Sequence, residues 1–391
     1  MNMDFLLKKE GIINTKELTA SQIKTISKDL SIKLCLAFPE HDLDRQALYT
    51  SFCSLDMFTA TMPKDSSGAK YVANSNAIYF NENLDFASIP DVAMHECIHF
   101  LQEGRLLNKD NFVGLTSFSS GLALNEAAVQ LMASEANMAD ISEEKYFDIS
   151  IKTISPNYYP LECTLVNEIS YFTGTYPLYH SVLNSNDVFK NTFIAKFNKR
   201  IYNRFVRQLD KLLHTEDELN CYISELENTE KVSDIRELNN IITEQKNKIT
   251  RLFFNIQNFI IRNCFLCEFN SINTIDDLKD LKKKLYGFKN IIGTTDGYTF
   301  YNDGTVFVID WAHVTQGNSS ADVARTFLLF HLDNKKEELL KYGDLSLFKQ
   351  ECTALTIVEQ SVETFSFIRM LIKKLKKLFK LNRGTINDYD N

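Results

Sequence analysis

His95-Glu96-Cys97-Ile98-His99 sets two imidazoles four residues apart, with a carboxylate beside the first. On an α-helix such a pair stands one above the other on one face and can grip a single metal ion. Zinc is the natural ion, because imidazole suits it and an open catalytic site takes three protein ligands plus water. Glu96 sits where it can accept a proton from that water. A third ligand must come from another element. Glu126 stands out in Gly121-Leu122-Ala123-Leu124-Asn125-Glu126-Ala127-Ala128-Val129-Gln130, where an unpaired carboxylate would be costly to bury and a metal ion would offset that cost. The blander alternative is two ordinary histidines on an amphipathic helix and an exposed helix carboxylate.

The surrounding pattern places these residues on helices. Ser88 reads as an N-cap, Pro90 fits the first turn, and Asp91 completes an S-x-x-D capping box. The helix is expected to reach about Gln102 and stop near Gly104. Met94, Ile98 and Leu101 form its apolar side, while Val92, His95, Glu96 and His99 share the other. A second helix follows Ser119-Ser120-Gly121 through Leu124, Ala127, Ala128, Leu131 and Met132. Upstream, residues 1–75 mix short helical and strand-like patterns with a turn at 63–68, and Asn76–Asn81 reads as a short strand.

From 186 to 285 the texture changes. Leu209, Leu212, Leu219, Ile223 and Leu226, then Ile235, Leu238, Ile242, Ile249, Leu252, Ile256 and Ile260, recur at helical spacing among charges. This predicts a long helical hairpin turning near Asn228–Asp234. Strand character returns over 297–311 around the Asn302-Asp303-Gly304 turn, and the rest is mainly helical. The expected organisation is therefore 1–185, 186–290 and 291–391, in an α+β, predominantly helical class.

The HExxH motif followed by a glutamate on a nearby helix, here preceded by Asn125, resembles the gluzincin metallopeptidases. The resemblance covers roughly residues 70–135. It implies a zincin-like core binding one Zn2+ per chain through His95, His99 and Glu126, with Glu96 as general base in peptide-bond hydrolysis through a zinc-bound water. It further implies that the strand at 77–80 is the edge strand lying alongside a peptide or protein substrate. The sequence departs from the best-known members in reading Asn125-Glu126-Ala127-Ala128-Val129-Gln130, without the downstream aspartate that orients a ligand histidine there. A donor for the oxyanion is also implied. Tyr171, Tyr176, Tyr179 and His180 are the candidates, any one of which could serve, although packing alone would account for each.

A shorter stretch, Val308-Ile309-Asp310-Trp311-Ala312 with Gly317 and Ala321-Asp322-Val323-Ala324-Arg325-Thr326, resembles the metal-binding-loop region of aminoglycoside phosphotransferase-like kinases. The HGDxxxxN catalytic loop and a Gly-rich nucleotide loop are missing, so a degenerate fragment is the reading. Cys264 and Cys267 form a lone CxxC with no second pair, and core thiols are expected. The run 373–380 is short, basic and amphipathic, and a solvated terminal helix explains it. His214, His313 and His331 have no metal-like spacing.

Acidic residues outnumber basic ones 51 to 43, a net charge of −8, which argues against a protein built to neutralise nucleic acid. At 44% hydrophobic with only 13 Gly and 6 Pro, the chain can bury large cores and is not a low-complexity protein. The first residues lack a secretory pattern, no stretch reaches eighteen apolar residues, and eight dispersed cysteines do not make a disulfide scaffold. A cytoplasmic zinc metallopeptidase without a membrane span is the leading expectation, with the 186–285 hairpin controlling access or binding a protein partner. The alternative is a non-catalytic zincin-like protein acting through that hairpin and the C-terminal segment.

Overall fold

The computed structural model describes residues 7–9, 11–63, 68–103, 114–116, 120–229 and 231–271, with scattered positions from 277 to 309. It is mostly helical with a small mixed sheet. Two compact units are present: Met1–Phe147 with Ile151–Cys264, and Asp148–Ser150 with Phe265–Asn391.

In the first unit, β1 (Ile13–Glu17) leads into α1 (Ala20–Ala37) and α2 (Arg45–Cys53). Both helices have side-chain caps. Thr19 and Gln22 form a reciprocal capping box on α1, and Asp44 accepts from Gln46 N–H and Ala47 N–H on α2. Then come β2 (Asp56–Thr61), β3 (Ala69–Val72) and β4 (Ala77–Asn81). The sheet order is β1-β2-β4-β3, parallel between β2 and β4 and antiparallel elsewhere. The 77–81 strand exists as expected, but it is central, and the edges are β1 and β3. Ala77, Ile78, Tyr79 and Phe80 are all buried, so both faces of β4 are covered, which requires a continuous apolar run rather than alternation.

Next come α3 (Ile89–Glu103) and α4 (Leu122–Ala136), which pack on each other, with α3 also crossing β3. A 3-10 turn at Phe86–Ser88 runs directly into α3. Asp91 therefore does not close a box with Ser88; its carboxylate pairs with Lys33 at 3.1 Å. Lys33 also donates to Asn137 Oδ1 at 3.2 Å, tying α1 to the far end of α4. The expected stop at Gly104 lies outside the described residues. In α4, 12 of 15 residues are buried, so it is packed on all sides. Its N-terminus is capped from a distance: Asp210 accepts from Gly121 N–H at 2.8 Å and Ala123 N–H at 3.0 Å.

After the strands β5 (Ser142–Tyr146) and β6 (Ile149–Thr153), the chain forms α5 (Pro160–Thr173), α6 (Thr175–Asn184) and α7 (Val188–Lys196). The expected helical hairpin follows as α8 (Lys199–Glu227) and α9 (Val232–Ser271). Leu209, Leu212 and Leu219 of α8 are buried, as are Ile242, Ile249, Ile256 and Ile260 of α9. No helix among the described residues is long and apolar enough to cross a membrane.

In the second unit, β7 (Tyr298–Thr299) pairs antiparallel with β8 (Val308–Ile309). The turn at 302–304, Asp310 and Trp311, residues 317–326 and the basic run 373–380 lie outside the described residues. The seven described cysteines stand outside any disulfide; Cys97, Cys163 and Cys264 are buried and Cys221 is exposed.

A buried carboxyl links α5 to α9. Glu168 is fully buried, and its Oε1 accepts from Gln257 Nε2 at 2.7 Å. Glu168 Oε2 and Gln257 Oε1 have no partner. Burial pushes the Glu168 carboxyl up to about 8, against the Gln257 hydrogen bond. Folding thus retains a proton that the unfolded chain releases above the usual carboxylate range, so stability falls as pH rises toward 8 and levels off beyond it. Glu168→Gln supplies an N–H for Gln257 Oε1. It should flatten that slope and raise stability above pH 8 by on the order of a few kcal/mol. Urea unfolding at pH 6 and pH 9 measures it; equal slopes in both proteins would remove the buried-proton account.

Candidate metal centre

α3 and α4 bring the three expected ligands together. Their ring Nε2 atoms put His95 and His99 2.9 Å apart, and Glu126 Oε2 lies 3.3 Å from the first and 3.4 Å from the second. Among the described residues this is the one group of three or more ligand side chains close enough to hold a metal ion. The geometry can be tested against an ion. Metal bonds of ~2.0–2.1 Å in a tetrahedron place neighbouring ligand atoms about 3.4 Å apart. The two His–Glu distances match that edge, and the His–His distance would open by roughly 0.5 Å. The residues fit a small four-coordinate cation.

Both histidines are oriented from behind by amides. His95 Nδ1 lies 2.9 Å from Gln130 Oε1, and Gln130 Nε2 donates to Ser134 Oγ at 3.1 Å. His99 Nδ1 lies 3.0 Å from Gln102 Oε1. Gln102 and Asn125 are locked face to face: Gln102 Nε2 donates to Asn125 Oδ1 at 2.9 Å, and Asn125 Nδ2 donates to Gln102 Oε1 at 3.3 Å. With both amide oxygens turned to the rings, each Nδ1 carries the proton and each Nε2 can present its lone pair to a cation. Gln130 stands one turn beyond Glu126, so a neutral amide does the orienting that a carboxylate does elsewhere.

This support extends outward. Asn125 Oδ1 also accepts from Leu115 N–H at 3.0 Å, and Ser185 Oγ bridges Gly114 N–H to the Gln102 carbonyl, each at 2.9 Å. Gly114 has φ +58°, and a Cβ there would lie 2.2 Å from both Asn125 Oδ1 and Gln102 Nε2. Only glycine fits this close approach.

The electrostatics suit a cation. Burial opposes charge on His99, but hydrogen bonding to Glu126 and its charge outweigh that and raise the ring to about 9. Glu126, likewise opposed by burial, is held far below the carboxylate range by hydrogen bonds from His95 and His99. A metal ion entering below pH 9 must displace the His99 proton, so its affinity should rise with pH up to that value.

Glu96 lies beside His95 on α3, and its Oε2 accepts from Tyr71 N–H of the edge strand β3 at 2.7 Å. That bond fixes the carboxylate and leaves Oε1 to take a proton. The aromatic residue at the cluster is Tyr159, which the sequence reading passed over. Its ring lies 6.2 Å from that of His95, and its phenol is close enough to feel the Glu126 charge. Burial, then the Glu126 and Glu96 charges, hold that phenol protonated far above its ordinary value. Tyr159 has φ +49°, immediately before Pro160 opens α5. A bulky residue in the left-handed region is strained, as side chains at functional sites often are.

The four expected oxyanion donors are placed elsewhere. Tyr179 donates to Glu135 Oε1 at 2.5 Å. Tyr176 stacks on His41 with centroids 4.7 Å apart, and His180 lies 6.1 Å from the same ring. Tyr171 lies twelve residues beyond Tyr159 along α5, ~18 Å by helical rise. The only sequence signals for the residues that do surround the site were an Asn157-Tyr158-Tyr159-Pro160 helix start and a glutamine one turn past Glu126.

Replacing Gln130 with leucine removes the acceptor that fixes the His95 tautomer. Zinc affinity should fall about 10- to 100-fold with the fold retained. A competition titration against a fluorescent chelator reads this; an unchanged affinity would show that His95 needs no orienting partner. No protein-family model matches this chain, and no curated protein or solved structure is significantly similar to it, so the chemistry assigned to the site rests on its own geometry.

Proposed function

We propose that this protein is a zinc-dependent metallopeptidase of the gluzincin type, with a zincin-like core built from β1–β4, α3 and α4. The observation that carries the reading is the triangle of His95, His99 and Glu126 with amide-oriented rings and Glu96 alongside. When bound there, a zinc ion supplies Lewis acidity toward the scissile carbonyl and the attacking water. The chain's own residues do the remainder. Glu96, anchored by Tyr71 N–H, accepts the proton from the water and passes it to the leaving amine. Tyr159, kept protonated, donates its O–H to the developing oxyanion. β3, last in the strand order and with its Tyr71 N–H reaching Glu96, is the strand along which an extended substrate would lie.

Metal content of the purified protein, wild type beside His95→Ala and Glu126→Ala, tests this, followed by cleavage of a peptide library. About one zinc per chain in wild type, lost or sharply weakened in both variants, is expected. Absence of zinc in wild type even after reconstitution would overturn the reading.

A further inference from the structure

α3 and α4 run antiparallel, and their facing side chains form rungs one helical turn apart. His95 meets Gln130 on the first rung at 2.9 Å, and His99 meets Glu126 on the second at 3.4 Å. One further turn along each helix, in the same direction, leads to Glu103 of α3 and Leu122 of α4. The first rung is closed, because Gln130 is buried and the Tyr159 ring stacks against His95. The third is open. Leu122 is 55% exposed, and it is one of three residues of α4, with Glu126 and Glu135, that are not buried. Neither burial nor capping calls for a leucine there, since Asp210 already caps this end of the helix.

Glu103 is half-buried, and its Oε2 accepts from the Tyr71 hydroxyl at 3.0 Å. Tyr71 of β3 thus holds two carboxylates of α3, Glu96 through its N–H and Glu103 through its phenol. A neutral donor positions Glu103 without cancelling its charge. Among the described residues no lysine or arginine pairs with it. We infer that Glu103 and Leu122 form a specificity subsite for a lysine or arginine side chain of the substrate. Leu122 takes the methylene stem, and Glu103 Oε1 takes the cationic head. The inference rests on the metallopeptidase reading. One helical turn spans about 5.4 Å and an extended peptide advances ~3.3 Å per residue, so the basic residue lies within about two residues of the scissile bond.

The test gives the zinc-loaded full chain a peptide library randomised on both sides of the cleaved bond. Lysine and arginine should be selected near that bond by about 10-fold in kcat/KM over methionine at the same position. Glu103→Gln, which can still accept from Tyr71, should lower that ratio about 10-fold through KM, and Glu103→Lys should turn the preference to aspartate and glutamate. Binding gives a readout independent of turnover. By fluorescence anisotropy, Glu96→Gln should hold a labelled lysine-containing peptide about 10-fold more tightly than the same protein carrying Glu103→Gln as well. Cleavage with one preference in wild type and Glu103→Lys, or equal affinities in the binding pair, would overturn the subsite and leave the metallopeptidase reading standing. No cleavage of any library peptide by zinc-loaded wild type would overturn that reading, and the subsite with it.

Discussion

Glu96→Gln should abolish peptide hydrolysis, by ~10³-fold or more, while the protein keeps its zinc. The substitution removes proton-accepting ability and little else. A glutamine oxygen can still accept from Tyr71 N–H, so the link between α3 and β3 survives. His95, His99 and Glu126 are untouched. A loss of that size corresponds to about 4 kcal/mol of transition-state stabilisation, within the range of a positioned general base. The measurement is kcat on a cleaved library peptide, with metal content determined on the same samples. If metal binding persists and Glu96→Gln leaves every measurable activity unchanged, Glu96 is not a base, and a non-catalytic zincin-like interaction protein becomes the better account.

Gly114→Ala should destabilise the fold by about 2–4 kcal/mol and weaken zinc binding about 10- to 100-fold. Two effects add. The backbone at φ +58° disfavours any side chain, and the new Cβ would meet the amide pair of Gln102 and Asn125 at 2.2 Å. That pair cannot move away cheaply, because Leu115 N–H holds Asn125 and Ser185 holds the Gln102 backbone. Displacing the Gln102 side chain frees the His99 ring. Gly11→Ala is the control: its φ is +72° and its Cβ would meet Pro63 Cγ at 2.6 Å, so it should cost stability without changing zinc affinity. Urea unfolding and chelator competition on both variants decide the matter. Equal losses of zinc affinity at the two positions would show that Gly114 acts through global stability alone.

Much of the site was legible because its spacing is local. Four residues separate His95 from His99, and the helix period alone puts them on one face. Glu126 was legible for a different reason, since a lone carboxylate in an apolar run must find a partner. The helical hairpin followed from its long periodicity, and α8 and α9 meet near Asn228–Asp234 as that pattern requires.

Position in the sheet was not legible from a single strand. The apolar run at 77–80 marks a strand, yet whether it lies at an edge depends on where β2 and β3 pair with it. Which tyrosine stands beside the cluster was not legible, because several tyrosines in neighbouring helices look alike in sequence. Which one reaches the ligands depends on how the chain turns at Tyr159 before Pro160. The Gln102–Asn125 pair, 23 residues apart, and the Asp210 cap on α4, 87 and 89 residues away, join segments that no local pattern links.

The sequence by itself therefore determined which residue types could bind a metal and which helices carry them, because helix periodicity and the cost of burying charge act over a few residues. The tertiary structure alone decided which amides orient the histidines, which tyrosine faces them, and that Asp210 caps the helix carrying Glu126. Those outcomes depend on distances between elements far apart in the chain, and only packing sets them.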